Sequence, residues 1–132
     1  GKILFDYVGL DRSKEGTAKG IELIRELRDD FWKNLKVTGT NEEVNSEIEK
    51  AGRVADYLEL AELMAYDAHD RDESCGAHFR IEFQTEDGEA LRNDKDFMYV
   101  SAWEFDGIGT EPKLHKEDLV FETVKPSVRS YK

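Results

Sequence analysis

The sequence predicts a mainly α fold: a spectrin-repeat-like three-helix bundle over residues 1–76, then a small β-hairpin extension and tail over residues 77–132. Three observations support this prediction. A long stretch from Thr40 carries apolar residues three or four apart, a second such stretch precedes it, and after residue 76 the spacing changes to alternation. At 132 residues the chain suffices for one domain with a buried core.

The third helix is the central element of this prediction. Thr40 and Glu43 have the spacing of a capping box, so the helix is expected to begin at Thr40, and Gly76 can stop it. Its apolar residues form more than one line, so the helix should be covered on more than one side. They are Val44, Ile48, Ala51 and Ala55, then Leu58, Ala61, Ala65 and Ala68, with Tyr57, Leu60 and Met64 beside them.

Two shorter helices complete the predicted bundle. Ile3–Val8 has the pattern of the last turns of a helix that ends at Gly9. Thr17–Leu35 has an apolar face, and its short connection to the third helix makes the two antiparallel. That face consists of Ile21, Ile24, Leu27 (or Arg28), Phe31 and Leu35. Ile3 follows Gly1-Lys2 without a cap, which indicates a piece of a longer protein and, in isolation, a possible dimer formed through exposed apolar residues.

The second half of the chain has the alternation of β-strands. Ala77–Gln84 places Phe79, Ile81 and Phe83 on one side and His78, Arg80 and Glu82 on the other. Phe97–Phe105 is the strongest strand signal, and Asp118–Val124 is predicted to be its partner. Residues 90–96 are predicted to form a loop or a short helix.

Charge and cysteine usage exclude several classes of function. The formal net charge of −11 and the absence of a basic stripe argue against binding to nucleic acid or to an anionic membrane surface. The single cysteine, Cys75, forbids an internal disulfide and favours a reducing compartment. No apolar run is long enough to insert into a membrane.

No group of residues has the spacing of a known active site. His69 with Asp67, Asp70 and Asp72 could bind a divalent cation, but a charged run is more often a solvated helix end. His78 could activate Cys75, although a free cysteine is more often simply buried. The loop Gly107-Ile108-Gly109 lacks the helix that a dinucleotide fingerprint requires. The residues therefore give little support to the hypothesis of a small hydrolase or metal enzyme that uses His69, His78 or Cys75.

A set of motifs in order along the chain resembles a known family. The motifs are Gly9-Leu10-Asp11-Arg12, Ile24-Arg25-Glu26-Leu27, Leu58-Glu59-Leu60-Ala61 and Glu73-Ser74-Cys75-Gly76-Ala77-His78-Phe79-Arg80. Together they resemble the C-terminal part of the flavoprotein subunit of succinate dehydrogenase and fumarate reductase, a group that includes L-aspartate oxidase. The family motif Glu-Ser-Arg-Gly-Ala-His is matched at Glu73, Ser74, Gly76, Ala77 and His78, followed by Arg80.

The resemblance implies a parent enzyme that interconverts succinate and fumarate with covalently held FAD. It implies electron transfer through an iron–sulfur subunit to quinone, a membrane-anchor subunit, and a peripheral position on the inner face of the cytoplasmic membrane. The family's catalytic, FAD-binding and substrate-binding residues match no position here, so the fragment itself is expected to be inactive and without a cofactor or metal. It would buttress the upstream FAD and substrate domains, with the motif residues as the interdomain contact: Glu73, Ser74, Cys75, Gly76, His78 and Arg80.

Cys75 departs from the motif, because the family usually has arginine there. A thiol lacks the fixed charge and the forked donors of a guanidinium, so a variant subfamily or a shifted interface is expected. The alternative to the flavoprotein hypothesis is a free-standing, acidic helical bundle that binds a basic partner protein.

Overall fold

The structure is a computed structural model that describes residues 1–40, 42, 44–107, 109–128 and 130. Its helices are α1 (Lys2–Val8), α2 (Lys14–Asn34), α3 (Ser46–Asp70) and α4 (Asp94–Phe97). Its strands are β1 (Asp11–Arg12), β2 (Phe79–Arg80), β3 (Tyr99–Glu104) and β4 (Lys113–Asp118). The predicted fold class is confirmed, since helices dominate and β3 with β4 forms a small antiparallel sheet.

Helices α1, α2 and α3 pack around one apolar core. The core contains Val8 of α1, Ile21 and Ile24 of α2, and Ala61, Ala65 and Ala68 of α3. Contacts between Thr17 and His69 at one end, and between Arg28 and Glu59 further along, show that α2 and α3 run antiparallel as predicted. The small alanines of α3 allow its backbone to lie close to α1 and α2.

The predicted helix starts differ from the observed ones. α2 begins at Lys14 instead of Thr17, because Ser13 caps it by accepting a hydrogen bond from the backbone N–H of Gly16 at 2.9 Å. α3 begins at Ser46 instead of Thr40, because Asn45 is its N-cap and accepts from Glu47 N–H at 3.0 Å. Glu43 of the predicted capping box lies outside the described residues.

The core is smaller than the predicted apolar faces. On α3 the line Leu58, Ala61, Ala65 and Ala68 is buried as predicted. In the first predicted line Ala51 and Ala55 are half-buried. The larger apolar residues of the other predicted lines and of the predicted α2 face are exposed: Val44, Ile48, Tyr57, Leu60, Met64, Leu27 and Leu35. Phe5 of α1 is 83% exposed as well. Dimerisation of the isolated chain stays a prediction.

The strands show the largest differences from the predictions. Of Ala77–Gln84 only Phe79–Arg80 is a strand, and it pairs in parallel with β1, which the sequence did not indicate. The alternation did not say which side is inside; in the structure the charged Arg80 is 1% exposed while Ile81 is 51% exposed. The partner of β3 is Lys113–Asp118 instead of Asp118–Val124, with Glu104 opposite Lys113 and Tyr99 opposite Asp118.

α1 ends at Val8, as the predicted stop at Gly9 requires, but not through a left-handed glycine. Gly9 has φ −70°, and a Cβ there would lie 2.4 Å from the backbone oxygen of Phe5. Arg12 satisfies the last carbonyls instead, since its Nε lies 3.2 Å from Val8 O and 2.9 Å from Gly9 O.

None of the described helices is long and apolar enough to cross a bilayer.

Candidate functional site

The octapeptide Glu73–Arg80 follows α3 and contains a tight hairpin. Cys75 N–H donates to His78 O at 2.8 Å, and His78 N–H donates to Cys75 O at 3.0 Å. Gly76, at the first central position, has φ +59°, whereas Ala77 is not in the left-handed region. This is the pattern of a type II′ turn, in which the first central residue is usually glycine.

Ser74 closes the base of this hairpin. Its side chain is fully buried, and its Oγ accepts from Arg80 N–H at 2.8 Å and donates to Arg80 O at 3.2 Å. Its own N–H donates to Leu91 O at 2.9 Å. The Ser74 hydroxyl therefore makes the two hydrogen bonds to the Arg80 backbone that a residue of a paired strand would otherwise make.

Arg80 caps the carboxyl end of α3 from below the hairpin. Its Nη1 lies 3.3 Å from Ala68 O, 3.2 Å from Arg71 O and 3.3 Å from Asp72 Oδ1, and its Nε donates to Glu82 Oε2 at 3.1 Å. A cation at this position satisfies helix carbonyls and complements the negative end of the helix dipole. Arg80 is thus a buried cation that supports the turn by bonding to the carboxyl end of α3.

Glu73 joins the turn to the β3 side of the molecule. It is 2% exposed, accepts from Arg71 Nη1 at 2.7 Å and accepts from the backbone N–H of Asn93 at 2.8 Å. The Arg71 guanidinium also lies over the rings of Phe97 and Tyr99, 5.7 Å and 5.2 Å from their centroids. These contacts fix the position of the octapeptide relative to the hairpin of β3 and β4.

His78 connects two helix ends. Its Nδ1 lies 2.7 Å from Arg12 Nη1 and its Nε2 lies 2.9 Å from Arg71 O. Because a guanidinium only donates, this network assigns an acceptor Nδ1 and a neutral ring that carries its proton on Nε2. Burial lowers the pKa of His78, the hydrogen bond to Arg71 O opposes this, and the charges of Arg12, Arg80 and Arg71 lower it further.

A cavity of about 510 Å³ lies beside the turn. We call it the Arg12 groove and define it by Arg12, Leu60, Met64, Asp67, Cys75 and His78, which line it together with Leu63, Arg71, Ser101 and Trp103. It combines two guanidinium groups with apolar side chains of α3 and the indole of β3.

The six predicted site residues therefore divide into two groups. Glu73, Ser74 and Arg80 are enclosed by this chain and support the turn from within. Cys75 and His78 line the Arg12 groove, and Gly76 is exposed at the tip of the turn. A contact with another domain would accordingly be made through Cys75, Gly76 and His78.

The structure gives the other candidate groups ordinary contacts. His69 Nδ1 lies 2.9 Å from Thr17 Oγ1, Asp67 accepts from Trp103 Nε1 at 2.8 Å, and Asp72 faces Lys14 and Arg80. The described part of the chain contains no cluster of three His, Cys, Asp or Glu residues that could hold a metal ion. Gly107 and Gly109 have positive φ as turn glycines, while Ile108 lies outside the described residues.

Cys75 and His78 do not form a nucleophile and base pair. Both ring nitrogens of His78 are engaged, one by Arg12 and the other by the carbonyl of Arg71. Neither nitrogen is left to accept a proton from the thiol, so a cysteine-based hydrolase has no geometric support here.

Sequence reasoning missed three residues of the groove: Arg12, Arg71 and Trp103. Arg71 lies in the charged run 67–73, which was interpreted as a solvated helix end. Arg12 belongs to the motif Gly9-Leu10-Asp11-Arg12, which supported the resemblance but not the site. Arg12 and His78 are in contact although the helices of the bundle separate them in the sequence, and no local pattern encodes such a contact.

The lowered pKa of two histidines predicts a stability that depends on pH. Burial is the main cause for both His69 and His78. Because their pKa values are lower in the folded chain than in the unfolded chain, the unfolded chain binds more protons as the pH falls through about 6.5. We therefore expect this contribution to the free energy of unfolding to be fully present above about pH 6.5 and to be lost as the pH falls below that value, measured by urea titration.

The variant His78→Gln should lose less unfolding free energy than the unmodified chain as the pH falls, since glutamine can form hydrogen bonds but does not titrate. His115→Gln is the matched control, because His115 is exposed on β4, away from the groove. An equal loss in both variants would contradict the assignment to His78.

Comparisons with known proteins agree with this architecture. The family model described as "Fumarate reductase flavoprotein C-term" matches residues 1–131. The fumarate reductase flavoprotein subunit of Escherichia coli (strain K12) is 31% identical over 131 residues, and that of Proteus vulgaris is 28% identical over 131 residues. Each match covers 99% of this chain and 21% of the relative, so the chain spans about a fifth of the length of these relatives.

Solved structures show the same fold. A chain of E. coli quinol fumarate reductase with a mutated FrdA superposes with a TM-score of 0.80 at 28% identity, covering 96% of this chain and 21% of that chain. A quinol-fumarate reductase with menaquinol molecules gives a TM-score of 0.80 at 29% identity, with the same coverage. The chain therefore belongs to the fumarate reductase flavoprotein C-terminal family and is a domain of a flavoprotein subunit.

Proposed function

We propose that this chain is the accessory C-terminal domain of an FAD-dependent subunit that interconverts succinate and fumarate. The observation that carries the proposal is the family match over residues 1–131. The flavoprotein relative from E. coli is matched over about a fifth of its own length. The domain buttresses the upstream FAD and substrate domains and has no catalytic activity of its own. Residues 1–76 and 77–132 act as one unit, because Glu73 and Arg71 connect α3 to β3.

The parent subunit passes electrons to or from quinone through an iron–sulfur subunit and stands on a membrane-anchor subunit. It lies peripherally on the inner face of the cytoplasmic membrane. One of the solved relatives is a quinol-fumarate reductase with menaquinol, which supports this assembly. The family match favours this function over a free-standing acidic interaction module.

Two expressed proteins test the proposal. The 132-residue chain should be colourless and inert with succinate or fumarate. The complete reading frame that contains it should give a yellow protein with flavin absorbance near about 450 nm and activity on these acids, since the cofactor carries that chemistry. Flavin bound by the isolated chain, or a reading frame without flavin, contradicts the proposal.

A further inference from the structure

The guanidinium of Arg12 forms no ion pair with the described residues of this chain. Its Nε donates to the carbonyls of Val8 and Gly9, and its Nη1 donates to His78. Among the described residues no carboxylate lies within 4.0 Å of it, and its Nη2 makes no hydrogen bond to them. Burial lowers the pKa of Arg12, although the charge of Asp67 opposes this shift. The free Nη2 edge of such a guanidinium can donate charge-assisted hydrogen bonds to a carboxylate from another segment.

Asp67 does not serve as that partner. Its Oδ1 accepts from Trp103 Nε1 at 2.8 Å, which fixes the carboxylate on the β3 side of the Arg12 groove. Arg71, the second guanidinium of the groove, is already paired with Glu73. The free edge of Arg12 is therefore the open polar position in the groove.

Apolar side chains continue the groove along α3. Tyr57, Leu60 and Met64 are 62%, 53% and 48% exposed, and their spacing places them on one face of the helix. A contiguous apolar line beside a cation is typical of a surface that another segment covers. The occupant should therefore present a carboxylate flanked by apolar side chains.

We propose that the Arg12 groove docks an acidic segment of the preceding part of the flavoprotein subunit. This inference rests on the proposed function, and it adds the face and the chemistry of the contact. The match covers 21% of the E. coli relative, so most of that relative's chain lies outside the match and can supply such a segment in the same molecule at high effective concentration. A second copy is the other occupant to test, because a two-fold contact would place a different surface of the second copy against Arg12.

Cys75 is a built-in probe of this contact, since it is the single cysteine of this chain and lines the groove. Its alkylation by iodoacetamide can be followed by mass spectrometry of its peptide, in the 132-residue chain and in the complete flavin-bound subunit. We expect the reaction to be at least about tenfold slower in the complete subunit, because a covered thiol reacts only when the contact opens. As a control, Lys36→Cys beyond the end of α2 should react equally in both proteins.

Variants of the complete subunit identify the determinants of docking. Arg12→Met should restore most of the Cys75 reactivity, whereas Arg53→Met, which removes an exposed partner of Glu49, should not. Leu60→Asp should also restore it, and Leu27→Asp is its matched control, because Leu27 is 45% exposed on α2 outside the groove. Leu60 is exposed, so its variant keeps the test valid even if Arg12→Met disturbs folding.

The outcomes separate this inference from the proposed function. Flavin-bound protein with Cys75 as reactive as in the isolated chain overturns the docking inference and leaves the function intact. Protection of Cys75 that depends on protein concentration in the isolated chain shows a second copy in the groove and also overturns it. A complete reading frame without flavin overturns the function itself.

Discussion

The variant Arg80→Met should lose about 1–3 kcal/mol of unfolding free energy, the range for buried groups that lose their hydrogen-bond partner. Arg80 is 1% exposed and holds the carbonyls of Ala68 and Arg71 at the end of α3. Methionine fills much of the same volume but donates nothing, so those carbonyls and the negative helix end lose their partner. Urea unfolding of the 132-residue chain measures the effect.

The carboxylate partners of Arg80 set the upper limit of this loss. The side chains of Asp72 and Glu82 are 44% and 38% exposed, so water can solvate them once the guanidinium is gone. Arg53→Met is the matched control, and a change within about 0.5 kcal/mol is expected there because its ion pair with Glu49 is exposed. Equal losses in the two variants would show that Arg80 does not support the turn.

The sequence predicted the parts of the fold that local spacing encodes. Leu58, Ala61 and Ala65 recur at helical intervals and are buried on one face, and the alternation around Tyr99–Glu104 marks β3. Each of these two signals lies within one element, so no knowledge of its neighbours was needed. The octapeptide Glu73–Arg80 was identified in another way, through its resemblance to a family motif.

The remaining features depend on contacts between distant segments. β1 and β2 are two residues long and pair across the bundle, which no periodic pattern reveals. Alternation assigned Arg80 and Phe79 to opposite faces but could not say which face is inside; the answer comes from the open carbonyls of α3, a tertiary feature. β4 is polar, and its place is set by pairing with β3 instead of by burial.

The variant Gly76→Ala should destabilise the chain by about 1–3 kcal/mol, the range for a residue held in a backbone region that suits glycine. The cause is conformational, because no atom lies within 4 Å of the position that a Cβ would occupy, whereas φ is +59°. The type II′ turn requires this angle at its first central residue. Since the hairpin carries Cys75 and His78 into the Arg12 groove, the same change should also alter Cys75 alkylation in the isolated chain.

Gly52→Ala makes the same chemical change with the opposite expected sign. Gly52 is exposed in the middle of α3 with open space around it, so alanine should stabilise the helix by about 0.5–1 kcal/mol. Paired urea titrations therefore compare one added methyl group in a turn and in a helix. If both variants gained stability, Gly76 would not be held at a positive φ. The assignment of a type II′ turn that presents Cys75 and His78 would then be wrong.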